Sequence, residues 1–187
     1  MDCSVTYDEH IAQVASKCIS SLCQTNRVKH LFDKPTLITI INSLVFSKLL
    51  YCSSVWANTT KKNIELLQVV QNFAATIVSG TKKFEHVTPV LKQLQWLPVT
   101  QQLVVRDATM VLKCLHGLAP PYLCKKFKTR SEVHNRNTRY KDPLHIPLCR
   151  TAAGQRAFNF RGQRLWNSLP DEIQSINTLK TKLKQHF

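Results

Sequence analysis

The segment NTTKKNIELLQVVQNFAATIVSG, residues 58–80, carries the clearest structural signature in the chain. Ile64, Leu67, Val70, Ala74, Ile77 and Val78 recur at three- and four-residue intervals, which puts them on one face of a helix. Asn58, Thr59 or Thr60 can cap its start, and Gly80 suits the position that ends it. The same period extends outward in both directions. Upstream, Thr6 and Glu9 have capping-box spacing with Asp8 in the first turn, and Ile11, Val14, Ala15, Cys18, Ile19 and Leu22 follow at helical intervals. Pro35 suits a first helical position, and residues 37–50 read as a largely buried helix, with a strand left open by their Val, Ile and Thr content. Downstream, Thr88 and Pro89 open a short helix over 90–96 that Pro98 closes. Leu103, Val104, Ala108, Val111, Leu112 and Leu115 form a further stripe, ended by Gly117 and the pair Pro120-Pro121.

The helical period stops over 128–150, where Pro143, Pro147 and many polar residues predict a loop with a short strand at 144–148. Ile176, Leu179, Leu183 and Phe187 then predict an amphipathic terminal helix. No internal repeat or low-complexity tract is present. The expected architecture is mainly α, with a helical region over 1–124 and a basic C-terminal extension over 125–187.

The bulk numbers narrow the function. The chain has 187 residues, 43 % of them hydrophobic, enough for a packed core. Four glycines exclude a glycine-rich phosphate loop. The acidic N-terminus MDCSVTYDEH is unlike a secretory leader, and the longest apolar stretch is broken by Asn42, Ser43 and Lys48. These features predict a soluble intracellular chain with reduced cysteines, and their odd number, seven, argues against a closed disulfide framework. The net charge is +15, and it is uneven. Residues 1–124 hold 12 basic and 7 acidic side chains, whereas 125–164 hold 11 basic and 2 acidic. A local excess of that size points to a polyanionic partner, nucleic acid first and an anionic membrane second.

Catalytic constellations are weak by comparison. Metal-dependent polymerases and nucleases need converging carboxylates. The adjacent acidic pairs here, Asp8-Glu9 and Asp171-Glu172, sit where helices are expected to start and offset the macrodipole. Among Cys18, Cys23, Cys114, His116, Cys124, His134, His145 and Cys149 no CxxC pair occurs; His145 and Cys149 are the best zinc candidates, and no metal site is expected. No local signature of a cysteine protease surrounds any Cys. The basic block offers more. In GQRAFNFRGQRLWNSLP, Arg156, Arg161 and Arg164 alternate with Phe158, Phe160 and Trp166. Arginines can pair with phosphates while aromatic rings stack on bases; alternatively the rings belong to the core and the arginines are solvated.

Three strings then carry a family likeness. VQNFAATIVSGTKKFEHVTPVLKQLQWLPV (70–99), KCLHGLAPPYL (113–123) and GQRAFNFRGQRLWNSLPDEI (154–173) resemble the C-terminal part of reverse transcriptases from LINE-type, non-LTR retrotransposons, nearest the jockey-like group. TYDEHI (6–11) and LLYCSSVW (49–56) resemble the stretch just after the palm of those enzymes. The likeness covers nearly the whole chain, in the family's order and spacing. It implies a helical thumb-like bundle and extension that grip the template–primer duplex and the element's RNA.

The family's catalytic signature, an aromatic residue followed two positions later by paired aspartates, is absent, and the chain has no Asp-Asp. Fingers, palm and endonuclease are missing too. The resemblance therefore implies a truncated copy starting at an internal Met1, with no catalytic residue, no cofactor and no polymerase activity of its own. It also implies that Trp96, Leu97 and Pro98 close a helix and pack the core, and that Trp166, Leu169 and Pro170 anchor the extension. The expected phosphate contacts are Lys82, Lys83, Lys125, Lys126, Lys128, Arg130, Arg136, Arg139, Arg156, Arg161 and Arg164. The expected partner is RNA or an RNA–DNA duplex, held electrostatically. Two other readings stand beside this one: a folded remnant with no selected role, and a domain that docks on an intact reverse transcriptase through an exposed apolar patch at Ile38, Ile41, Val45 and Leu49.

Overall fold

Helix α1 (Asp8–Val28) buries Ile11, Ala15, Cys18 and Leu22, the inward stripe of its seven-residue period. Its start differs from the expected capping box. Tyr7, in the left-handed region at φ 60°, is the N-cap, and the Thr6 hydroxyl donates to Asp8 Oδ2 at 3.0 Å instead of capping. The computed structural model describes residues 6–81, 85–134 and 143–170. It is mainly α, and among the described residues no strand forms. The terminal helix expected over 176–187 lies outside the described residues.

Packing divides the chain into two units, residues 1–102 and 103–187. The boundary is therefore not at 124/125, as composition suggested. It falls inside a continuous helix, because the side chains of that helix beyond Gln102 pack with the basic region that follows.

In the first unit, a 3-10 turn (Lys29–Leu31) leads to α2 (Lys34–Ile41), a π-helical segment (Asn42–Phe46) and α3 (Ser47–Leu49). Residues 37–50 are thus helical, and the strand alternative falls away. The buried residues Leu37, Ile41, Val45 and Leu49 are spaced by four throughout. A regular α-helix turns each such step about 40° past the last, so a strict four-residue stripe drifts off the core. The wider π turn offsets that drift and keeps Val45 inside. Cys18 Sγ donates to the Val45 carbonyl at 3.7 Å. The proposed docking patch is accordingly not a surface: Ile41, Val45 and Leu49 are at most 1 % exposed, and Ile38 is half-buried.

A single turn, α4 (Ser53–Trp56), precedes α5 (Lys61–Ser79), which packs along α1. Thr60 is the N-cap, its Oγ1 accepting from Asn63 N, and Gly80 at φ 71° ends the helix, both as expected. The starts of α1 and α5 are tied by Asn63, whose Nδ2 donates to Asp8 Oδ1 at 2.6 Å and to Thr59 Oγ1 at 2.7 Å. Helix α6 (Thr88–Gln93) stops at Gln95, φ 53°, where Gln95 N donates to Lys92 O and Trp96 N to Leu91 O. That is a Schellman close with glutamine where glycine is usual. Trp96 then packs on Ala75, Val90 and Leu91 and meets Phe46 edge-on at 4.8 Å. The turn before α7 (Val99–Leu115) is held by the wholly buried Gln71, whose Nε2 donates to Leu97 O at 2.8 Å, and by Gln68, whose Oε1 accepts from Val99 N at 2.9 Å.

The second unit starts from the α7 residues Leu103, Val105, Ala108, Val111, Leu112 and Cys114, all buried. Leu118 N donates to Lys113 O and Gly117 N to Cys114 O, a second Schellman close with Gly117 at φ 68°. Then come α8 (Pro121–Cys124), α9 (Arg130–His134), α10 (Ala152–Arg156) and α11 (Phe158–Ser168). Residues 128–150 were expected to be loop with a strand at 144–148. Instead they contain α9 and one isolated bridge between Thr129 and Leu144. Trp166 and Leu169 are buried, whereas Pro170 is exposed.

Candidate nucleic-acid interface

The basic residues of the second unit hang on a backbone gripped from behind. Phe127 is buried and meets Phe158 at 5.6 Å between ring centres. Lys126, Lys128 and Arg130 are exposed on either side of it, alternating with Phe127 and the half-buried Thr129 as in an extended chain. Arg130 N donates to Pro143 O at 3.0 Å and His145 N to Lys128 O at 2.8 Å, so two extended segments are laced together. Helix α11 supplies the clamp. Gln163, 2 % exposed, donates from Nε2 to Lys126 O at 2.7 Å. One helical turn on, Asn167 accepts Leu144 N at Oδ1 and donates from Nδ2 to Leu144 O, both at 2.9 Å. Every one of these contacts uses backbone atoms of the strip, which leaves its cationic side chains pointing away.

Alpha-9 begins with a capping box. Thr129 Oγ1 accepts Glu132 N at 3.4 Å, and Glu132 Oε2 accepts Thr129 N at 3.3 Å. The sequence T-R-S-E at 129–132 carries this signal. It was missed because the surrounding prolines suggested loop.

The arginines of 156–164 have different places. Arg161 Nε donates to Asp107 Oδ2 at 2.9 Å in an ion pair whose side chains are 18 % and 6 % exposed. Its guanidinium also lies 5.9 Å from the Phe158 ring centre, and Nη1 donates to Arg156 O at 3.4 Å. Arg161 is therefore a structural residue rather than the phosphate contact that the sequence suggested. The reason is long-range: the carboxylate that captures it lies 54 positions earlier. Arg156 is half-buried and Arg164 exposed. Phe158 and Phe160 are half-buried and Trp166 is buried, which favours packing over base stacking for these rings. Lys125 is exposed beside Lys126. Lys82, Lys83, Arg136 and Arg139 lie outside the described residues.

Among the described residues of the second unit the carboxylates are Asp107, held by Arg161, and Glu132, engaged at the start of α9. Lys113, Lys125, Lys126, Lys128, Arg130, Arg150 and Arg164 are all exposed there. The resulting field is positive and attracts phosphates without selecting bases. No group of three or more His, Cys, Asp or Glu side chains gathers into a metal-binding cluster among the described residues, His145 and Cys149 included. No helix among them is long and apolar enough to cross a membrane. Comparisons with protein-family models, with curated proteins and with solved structures gave no match.

Proposed function

We propose that the chain is a non-catalytic nucleic-acid-binding module that grips RNA or an RNA–DNA duplex through its phosphates, and that it derives from the thumb and extension of a LINE-type reverse transcriptase. One observation carries the binding reading. Lys126, Lys128 and Arg130 project from a backbone that Phe127, Gln163 and Asn167 hold in place, on a unit whose described carboxylates are already engaged. Lysine and arginine on a pre-organised backbone neutralise phosphates with little loss of conformational freedom, and each phosphate they cover releases counterions. The strings quoted above support the ancestry, and the missing Asp-Asp supports the lack of chemistry.

The test is binding to a labelled RNA hairpin and to an RNA–DNA duplex across a salt series. The comparison is with a variant carrying Lys126→Gln, Lys128→Gln, Arg130→Gln and Arg164→Gln. Arg161 is left intact so that the fold is not disturbed. The wild-type chain should show a steep salt dependence, and each phosphate contact removed should lower the slope by about 1. Equal slopes for the two proteins would move the site elsewhere. Weak binding by both would leave the remnant reading.

A further inference from the structure

Two cysteines face each other across the turn that joins α7 to α8. Cys114 sits in the last turn of α7 and is 3 % exposed. Cys124 ends α8 and is half-buried, so it has an open side. The Schellman close at Gly117 reverses the chain, and Pro120 and Pro121 send it back as α8. The reversal brings the two thiols within hydrogen-bonding reach of one another. Cys124 Sγ also lies 3.2 Å from Ala119 O, which turns it into the hairpin rather than out to solvent. Cys18, by contrast, is buried against the Val45 carbonyl, and Cys23 and Cys52 are simply exposed.

We propose that Cys114 and Cys124 are a dithiol that closes to an intramolecular disulfide by exchange with a low-molecular-weight disulfide such as oxidised glutathione. The open side of Cys124 makes it the first to react. Its thiolate attacks one sulfur of the small disulfide, whose S–S bond breaks and releases one small thiol. Cys114 gives its proton to water and attacks the Cys124 sulfur, and the second small thiol leaves. The two cysteines are oxidised by two electrons, and the small disulfide is reduced to two thiols. Burial and the neighbouring Cys124 push the Cys114 thiol up to about 11, which suits it to the second, intramolecular step. The closed form ties the end of α7 to the residue before Lys125, where the cationic strip begins. This chemistry does not depend on nucleic-acid binding.

The experiment uses the full chain, reduced and then equilibrated in buffers of graded glutathione redox ratio, alkylated and digested with trypsin. Cleavage after Lys113 and Lys125 releases residues 114–125 as one peptide holding both cysteines and no other. Its mass alone tells two alkylated thiols from an internal disulfide or a glutathione adduct. The expected product is the peptide lighter by two hydrogens, refractory to alkylation and restored by reductant. In Cys114→Ser, Cys124 should instead keep a stable glutathione adduct. In Cys124→Ser, Cys114 should stay reduced while Cys23 and Cys52 react. A lasting glutathione adduct on the wild-type peptide, or two alkylatable thiols at the most oxidising ratio, overturns the proposal. The wild-type map decides this even where a variant folds poorly.

Discussion

Thr6 and Thr129 each stand three residues before a glutamate, yet only Thr129 caps a helix. At 129–132 both arms of the box close within one turn. At Thr6 the hydroxyl goes to Asp8, and the Thr6 carbonyl accepts from Thr59 and Asn63, 53 and 57 positions further on. A local motif cannot report a partner at that distance, so identical spacing gave one false cap and hid one real one. The same limit applies to the arginines, which look alike in sequence. Removing the Arg161 side chain strands the buried Asp107 carboxylate, so Arg161→Ala should lower unfolding stability by about 3 kcal/mol. Arg164 is exposed, and Arg164→Ala should change stability by less than about 0.5 kcal/mol. Urea unfolding of the two variants tests the contrast. Equal effects would mean that Arg161 holds nothing together.

Most of the helices were legible because burial imposes a period on sequence. The stripe of α5, its Thr60 cap and its Gly80 stop were all readable before the structure. What was not readable is how elements are fastened. Gln71, Asn63, Gln163 and Asn167 are polar residues on helices, and sequence alone ranks them as surface. Each instead satisfies backbone or side-chain groups from a distant segment. Gly162 shows the same thing for packing. Mid-helix glycine costs about 1 kcal/mol relative to alanine, so sequence alone would recommend replacement. A Cβ built there would stand 2.8 Å from Val111 Cγ2 and 3.3 Å from Phe127 Cε1. Val111 is buried and β-branched, so it has little freedom to yield. Gly162→Ala should therefore destabilise by about 1–3 kcal/mol despite its better helix propensity. A thermal midpoint at or above that of wild type would show that α7 and α11 have slack where they meet.

At the scale of the molecule, charge was the property that sequence reported best and located least well. Composition identified the basic block, but it placed the boundary at 124/125, whereas packing assigns α7 beyond Gln102 to the basic unit. The excess charge follows the chain, while the boundary follows contacts such as Arg161 to Asp107. The pH response belongs to this scale too. Cys114 titrates near 9.0 when exposed and near 11 in the folded chain, so folding favours its protonated form. Its contribution is fully present below pH 9 and is lost as pH rises towards 11. Reduced protein should lose unfolding free energy over that interval, and Cys114→Ala should lose less. Parallel curves for the two proteins would assign the alkaline loss to other groups.

The cationic strip is fastened through its main chain, by a phenyl ring between its cations and two amides behind it. Its outward side chains are consequently almost interchangeable as far as folding is concerned. Mutation can drift through Lys126, Lys128 and Arg130, or a designer can rewrite them with acids or aromatics, while the scaffold underneath keeps its shape. The strip works as a socket, in which ligand preference can change without renegotiating the fold.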